Sequence, residues 1–175
     1  MPLRDRPSRR DTRLPGWDYR SPGAYAITVV SQHREWFFGA IAGGRMSPNA
    51  AGQMVEAVWQ EMDREYPRVR LDAFVVMPNH LHAILWLSQD GPAGNPQLGD
   101  VVQRFKTFTT VRYSAAVRND GWEPYDRKLW QRNYYDHIID GAADLDRCRR
   151  YIAANPAKWA SDPDREPVRT PVGSE

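Results

Sequence analysis

The chain has a single cysteine, Cys148, in 175 residues. That excludes a disulfide framework and a zinc site built from cysteines. No apolar run approaches the roughly 18 residues that a membrane helix needs. The N-terminus is rich in arginine, but no hydrophobic segment follows, which argues against a secretory signal. The expectation is therefore a cytoplasmic protein. Histidine is scarce, at four residues, and the net charge is only +2. A charge so small says little about partners by itself.

What is present is ordinary in amount and uneven in placement. The apolar fraction of 41% and charged fraction of 26% fit a soluble globular chain. The length suits one domain with a sizeable core. Residues 1–20 carry Arg4, Arg6, Arg9, Arg10, Arg13 and Arg20, and residues 104–132 carry Arg104, Lys106, Arg112, Arg118, Arg127, Lys128 and Arg132. Aromatic residues such as Trp17, Phe105, Phe108, Trp122 and Trp130 are interleaved with them. Arginine takes phosphate and aromatic rings stack on bases, so both stretches suit a nucleic-acid strand. The competing reading is a solvated surface over buried aromatics.

Residues 1–22 are rich in Arg, Pro and Asp and show no period, as an arm would, either flexible or laid across the domain. Ala24 to Ser31 is rich in β-formers and predicts a first strand. Ser47 and Pro48 predict a helix start, as N-cap and first helical residue, and Ala51, Val55, Val58, Met62 and Tyr66 then share one stripe. Val69 to Met77 and His80 to Leu87 predict two strands across a Pro78-Asn79 turn. Leu98, Val101, Val102, Phe105 and Phe108 predict a second helix running to about Val117, and Tyr134 to Ile139 a fourth strand. A last helix begins near Asp140 or Gly141, and Pro156 biases Asn155 away from helical geometry. A single domain is expected over 23–160, with 161–175 a polar, proline-rich and disordered tail. The order β-α-β-β-α-β with an added helix is an α+β, ferredoxin-like pattern: one antiparallel sheet, two helices on one face, the His80 strand central.

That strand carries the chemistry. Side chains alternate along a strand, so His80 and His82 share a face, about 6.6 Å apart along it. Neutral imidazole is a common metal ligand, and two imidazoles converging from one strand can clasp an ion. The neighbouring runs Phe74–Met77 and Ala83–Leu87 are nearly continuous apolar segments, which marks a strand covered on both faces. Tyr151 and Asn155, four apart, share a face of the last helix. Asn155 could supply an oxygen ligand and Tyr151 a nucleophile. His137, in the fourth strand, reads either as a group lining a nucleic-acid path or as a satisfied strand histidine.

Met77-Pro78-Asn79-His80-Leu81-His82, Trp130-Gln131-Arg132-Asn133-Tyr134-Tyr135-Asp136-His137 and Arg150-Tyr151-Ile152-Ala153-Ala154-Asn155-Pro156 resemble motifs of the REP-associated tyrosine transposases. These are a branch of the single-tyrosine HUH transposases, the insertion-sequence-200-like group. Further points of likeness span nearly the whole chain, among them Arg9-Arg10-Asp11-Thr12-Arg13-Leu14 and Phe105-Lys106-Thr107-Phe108. The resemblance implies a ferredoxin-like fold and cleavage and rejoining of single-stranded or hairpin DNA. It implies Tyr151 as nucleophile, a 5′-phosphotyrosine intermediate and a free 3′-hydroxyl. It implies His80, His82 and Asn155 as ligands of Mg²⁺ or Mn²⁺; it assigns no role to His137, which stays a candidate for a place just behind them. Arg9, Arg10, Arg13, Arg104, Lys106, Arg112, Arg132 and Arg150 are the expected DNA contacts. A monomer or homodimer, held at the nucleoid when bound to DNA, is the matching expectation. Ala26 departs from the family pattern, where a bulky aromatic is expected. A metallo-hydrolase or histidine-triad enzyme would want a ligand at position 84, which is Ile84. The rival from another class is a non-catalytic module binding structured single-stranded nucleic acid.

Overall fold

The computed structural model describes residues 14–88 and 96–167. The elements run β1 (Gly23–Val30), β2 (Gly39–Ala42), β3 (Arg45–Pro48), α1 (Ala50–Glu65), β4 (Val69–Met77), β5 (His80–Leu87), α2 (Leu98–Asn119), β6 (Tyr135–Ile138) and α3 (Gly141–Ala154). Strands β4, β5, β1 and β6 form one sheet in that spatial order, and every neighbouring pair is antiparallel. This is the ferredoxin-like arrangement with α3 appended, and the strand bearing His80 and His82 is internal.

The sheet has two apolar faces because β5 is apolar at nearly every position. Leu81, Ala83, Leu85 and Leu87 face the layer formed by α1 and α2. That layer is held by the stripe Val55, Val58, Trp59 and Met62 on α1 against Val101, Val102 and Phe105 on α2. Trp59 meets Phe105 edge-on at 5.5 Å. Burying each of these large side chains contributes about 1.5–3 kcal/mol. On the other face Ile84 meets Cys148 and Ile152 of α3, with Ala26 and Val75 beside them. Ala26 therefore lies under α3, where it affects packing and not chemistry.

Several local readings are corrected. Ser47 and Pro48 do not open α1; they close β3, which pairs with β2 in a separate hairpin. The cap is Asn49, whose side chain accepts from the Gly52 N–H at 2.9 Å and donates to the Phe37 carbonyl. Gly52 is required here: a Cβ would lie 2.1 Å from the Phe38 carbonyl oxygen. Ser-Pro and Asn are both good helix starts, so propensity alone could not choose. Residues 14–22 lie against the domain, with Tyr19 in the core and its carbonyl accepting from the Leu98 N–H. The start of the expected disordered tail packs as far as Arg165: Asp164 is buried and Trp36 donates to the Arg165 carbonyl, while residues 168–175 lie outside the described residues. Among the described residues no helix is long and apolar enough to cross a membrane.

Candidate active site

The β4–β5 turn positions the first histidine. Asn79 is fully buried, and its amide nitrogen donates to the carbonyls of Arg34 and Asp164 at 3.0 and 2.6 Å. Its Oδ1 then faces His80 Nδ1 at 2.7 Å. With the amide N–H groups spent on carbonyls, Oδ1 can only accept, so His80 carries its proton on Nδ1. In the neutral ring the lone pair of His80 is then on Nε2, which lies 3.8 Å from Asp162 Oδ2. Asp162 is itself oriented, because its Oδ1 accepts the Asp164 N–H at 2.7 Å.

The second histidine is oriented from the neighbouring strand. Thr28 pairs with His82 across the β1–β5 ladder, and its hydroxyl lies 2.8 Å from His82 Nδ1. The two imidazoles converge, with ring centroids 4.5 Å apart at 77°. Tyr151 comes down from α3 onto the same spot, its ring 5.3 Å from that of His82 at 75°. Trp159 closes the other side, 6.0 Å from the His80 ring. His80, His82 and Tyr151 are thus brought together.

Asn155 stands one turn beyond Tyr151 and is buried. Its backbone stays helical, at φ −58° and ψ −46°, although Pro156 follows. The bias against helical geometry before proline is overridden. The α-helix does stop at Ala154, but the chain continues as a 3-10 helix over Pro156–Ser161. That short helix carries Trp159 into the site and delivers Asp162.

Oriented donor atoms of His80, His82 and Asp162 all lie within 4.8 Å of one another. Opposite ligands on an octahedral ion stand about 4.2 Å apart, so a small closure fits this set to a divalent cation. Two imidazoles and a carboxylate suit Mn²⁺ at least as well as Mg²⁺. Asp162, Thr28 and Asn79 were missed in the sequence. Asn79 sits directly before His80, and Thr28 follows from strand register, but nothing local marks Asp162.

His137 belongs to a different cluster. Its Nε2 lies 2.8 Å from Asp144 Oδ2, and Asp144 also takes Arg147 and the Asp140 N–H. Burial works to raise the Asp144 carboxyl, but the Asp140 N–H, His137 and Arg147 outweigh it and hold it below its ordinary range. Burial, with Asp144 nearby, pushes the Cys148 thiol up to about 11. A protonated thiol and a carboxylate already paired with arginine make this an ion-pair network joining β6 to α3.

The expected DNA contacts are scattered. Arg9, Arg10 and Arg13 lie outside the described residues. Arg104 and Arg112 are on α2, behind the sheet; Arg104 lies over Phe108 and Arg112 forks onto Glu61. Lys106 is buried and gives its N–H groups to the carbonyls of Gln131, Arg132 and Asn133. Burial pushes its ammonium down to about 8. Arg132 and Arg150 are exposed, and Arg150 adjoins Tyr151 on α3.

Residues 46–155 match the family model of IS200-like transposases. The chain belongs to that family. The matched span runs from the end of the hairpin through Asn155, so it contains both histidines and Tyr151. A protein of uncharacterised function from Haemophilus influenzae is 36% identical over 171 residues, 88% of this chain and 91% of that one. Among solved structures, a REP-associated tyrosine transposase bound to a REP hairpin superposes with a TM-score of 0.56. It is 22% identical, and the match covers 78% of this chain and 67% of that one. At that identity the likeness concerns the fold. Transposases of this family act on DNA strands.

Proposed function

We propose that the protein is a single-tyrosine DNA strand transferase of the REP-associated kind, acting on single-stranded DNA beside a hairpin. One observation carries the reading: the Tyr151 ring packs 5.3 Å from His82, which packs 4.5 Å from His80. A nucleophile and two metal-ligating residues from separate elements converge at one point. In the proposed reaction the Tyr151 hydroxyl oxygen forms a bond to the scissile phosphorus. The bond from phosphorus to the 3′ oxygen breaks, and a proton passes to that oxygen. The products are a 5′-phosphotyrosine and a free 3′-hydroxyl. One ester is exchanged for another, so rejoining is the reverse attack and needs no nucleotide cofactor.

His80, His82 and Asp162 would hold a divalent ion, with Asn155 as the further oxygen donor. Such an ion, when bound, supplies charge neutralisation and orientation at the phosphate. The chain's own residues fix the rest. Asn79 sets the His80 tautomer, Thr28 orients His82, and Trp159 shields the pair from solvent. Arg132 and Arg150 are the exposed cations proposed for the DNA path, and Arg9, Arg10 and Arg13 are proposed to extend it.

The test is incubation with a hairpin oligonucleotide bearing single-stranded flanks, in Mn²⁺. A protein–DNA adduct that survives denaturation is expected, together with a released strand ending in a 3′-hydroxyl. Hairpin binding with no adduct would identify a binding module instead.

A further inference from the structure

Helix α3 has a thin apolar seat. Its buried apolar cluster against the sheet consists of Ile84, Cys148 and Ile152, with partly buried side chains packed around them. The opposite face buries a far larger cluster. A narrow apolar contact is non-directional and leaves a helix free to roll. Rolling matters here. A turn of roughly 10° about the helix axis moves a tyrosine hydroxyl by more than about 1 Å, given the helix radius and side-chain length.

The sequence of β4 contains a device that prevents this. Leu71 pairs with Leu85, but the next pair is Phe74 with Ala83. Asp72 and Ala73 therefore stand opposite one residue, Ile84, in a β-bulge. A bulge re-aims side chains and changes which residues share a face. Leu71 before it and Phe74 after it both pack toward α1 and α2, while Ala73 and Val75 pack toward α3. Asp72 is aimed toward α3 as well. Its carboxylate is fixed from below by the Trp86 Nε1–H at 3.0 Å and the Ala73 N–H at 2.7 Å. Arg149 of α3 then closes on it as a fork, Nε to Oδ1 at 2.8 Å and the terminal nitrogen to Oδ2 at 2.7 Å. A bidentate pair fixes direction as well as distance.

Helical geometry puts Arg149 on one flank of α3 and Asp144 with Tyr151 on the other. Asp144 reaches His137 of β6, so α3 is gripped from the two outer strands of the sheet. We propose that Asp72 and Arg149 are a positioning pair: the bulge carboxylate sets the roll of α3 and thereby holds Tyr151 over His82. This rests on Tyr151 being the nucleophile.

The experiment uses the full chain, a hairpin oligonucleotide with a single-stranded flank, and Mn²⁺. Single-turnover adduct formation is compared for the parent, Asp72→Asn, Arg149→Met, Arg149→Lys and the double variant Asp72→Asn with Arg149→Met. Misplacement of reacting groups by about 1 Å costs up to about 100-fold. We expect Asp72→Asn and Arg149→Met each to lower the rate constant by about 10- to 100-fold, and the double variant to fall no further. Arg149→Lys, which keeps the charge without the fork, lies between. The amplitude and the hairpin Kd stay at the parent values. A purely structural role would lower the amplitude, the folded fraction, and leave the rate constant alone; that result overturns the proposal. So does a slow, weak-binding Arg149→Met beside a parent-like Asp72→Asn, which would make Arg149 a phosphate contact. Tyr151→Phe separates the two claims. If it still cleaves, the nucleophile assignment fails. If it is dead while Asp72→Asn and Arg149→Met react at the parent rate, only the positioning pair fails.

Discussion

Thr28 Oγ1 and His82 Nδ1 lie 2.8 Å apart, across a rung that joins two central strands. The contact occupies one ring nitrogen of His82, and the proposed metal would be held by the other. Partners that orient a ligating imidazole are worth about 10- to 100-fold in metal affinity. Thr28→Val keeps the β-branched shape and removes the hydroxyl. It should weaken Mn²⁺ binding by that factor, read by electron paramagnetic resonance titration, while melting temperature changes little. Equal affinity in Thr28→Val and the parent would remove Thr28 from the site.

Asp162 is the carboxylate that the geometry adds to the expected pair. Asp162→Ala should weaken Mn²⁺ binding by about tenfold or more, as loss of a ligand or of its orienting partner does. Asn155→Ala tested in parallel apportions the oxygen donors. Loss of affinity in Asn155→Ala alone would restrict the ligand set to His80, His82 and Asn155 and leave Asp162 a neighbour.

The order of the four main-sheet strands and the helices between them, though not the β2–β3 hairpin, was legible because each of those stretches keeps one hydrophobic period throughout: two-residue alternation or continuous burial in the strands, the i, i+4 stripe in α1 and α2. That His80 and His82 share a strand face was legible because strand alternation is a local rule; Tyr151 was singled out only by the family resemblance of its Tyr-Ile-x-x-Asn-Pro string. Three things were not. The start of α1 turned on Asn49 against Ser47-Pro48, a choice made by the β2–β3 hairpin. The bulge at Asp72-Ala73 exists only against a partner strand. Asp162 reaches the site through 3-10 turns after Pro156, in a polar stretch whose composition alone suggests disorder.

Lys106 was expected to contact DNA, and its ammonium is instead bonded to three carbonyls of the 131–133 loop. Lys106→Met leaves those acceptors without their donor and should destabilise the fold by about 2–3 kcal/mol. The salt dependence of hairpin binding should keep its slope. A phosphate contact would instead remove about 0.7 from the slope of log affinity against log salt. Arg132→Ala should show that loss, with stability unchanged.

The Arg149 guanidinium beside Asp72 holds that carboxyl well below the usual carboxylate range. A carboxyl with a depressed folded-state pKa stabilises the fold above the unfolded-state value, near 4, and loses that contribution as pH falls toward the folded value. Asp72→Asn should therefore melt below the parent at pH 7. The gap should narrow between about pH 4 and pH 2. A gap that stays constant down to pH 2 would mean the pair contributes nothing through ionisation.

The nucleophile is the central claim, and Tyr135 is its nearest competitor. Tyr135 lies on the rung of Thr28 and His82, one strand further out, whereas Tyr134 turns into the opposite core. Trapping the covalent adduct with a hairpin oligonucleotide, digesting it and sequencing the nucleotide-bearing peptide by mass spectrometry distinguishes them. The account predicts the modification on Tyr151 and no adduct from Tyr151→Phe. A modified peptide carrying Tyr135, or cleavage by Tyr151→Phe at the parent rate, would contradict it.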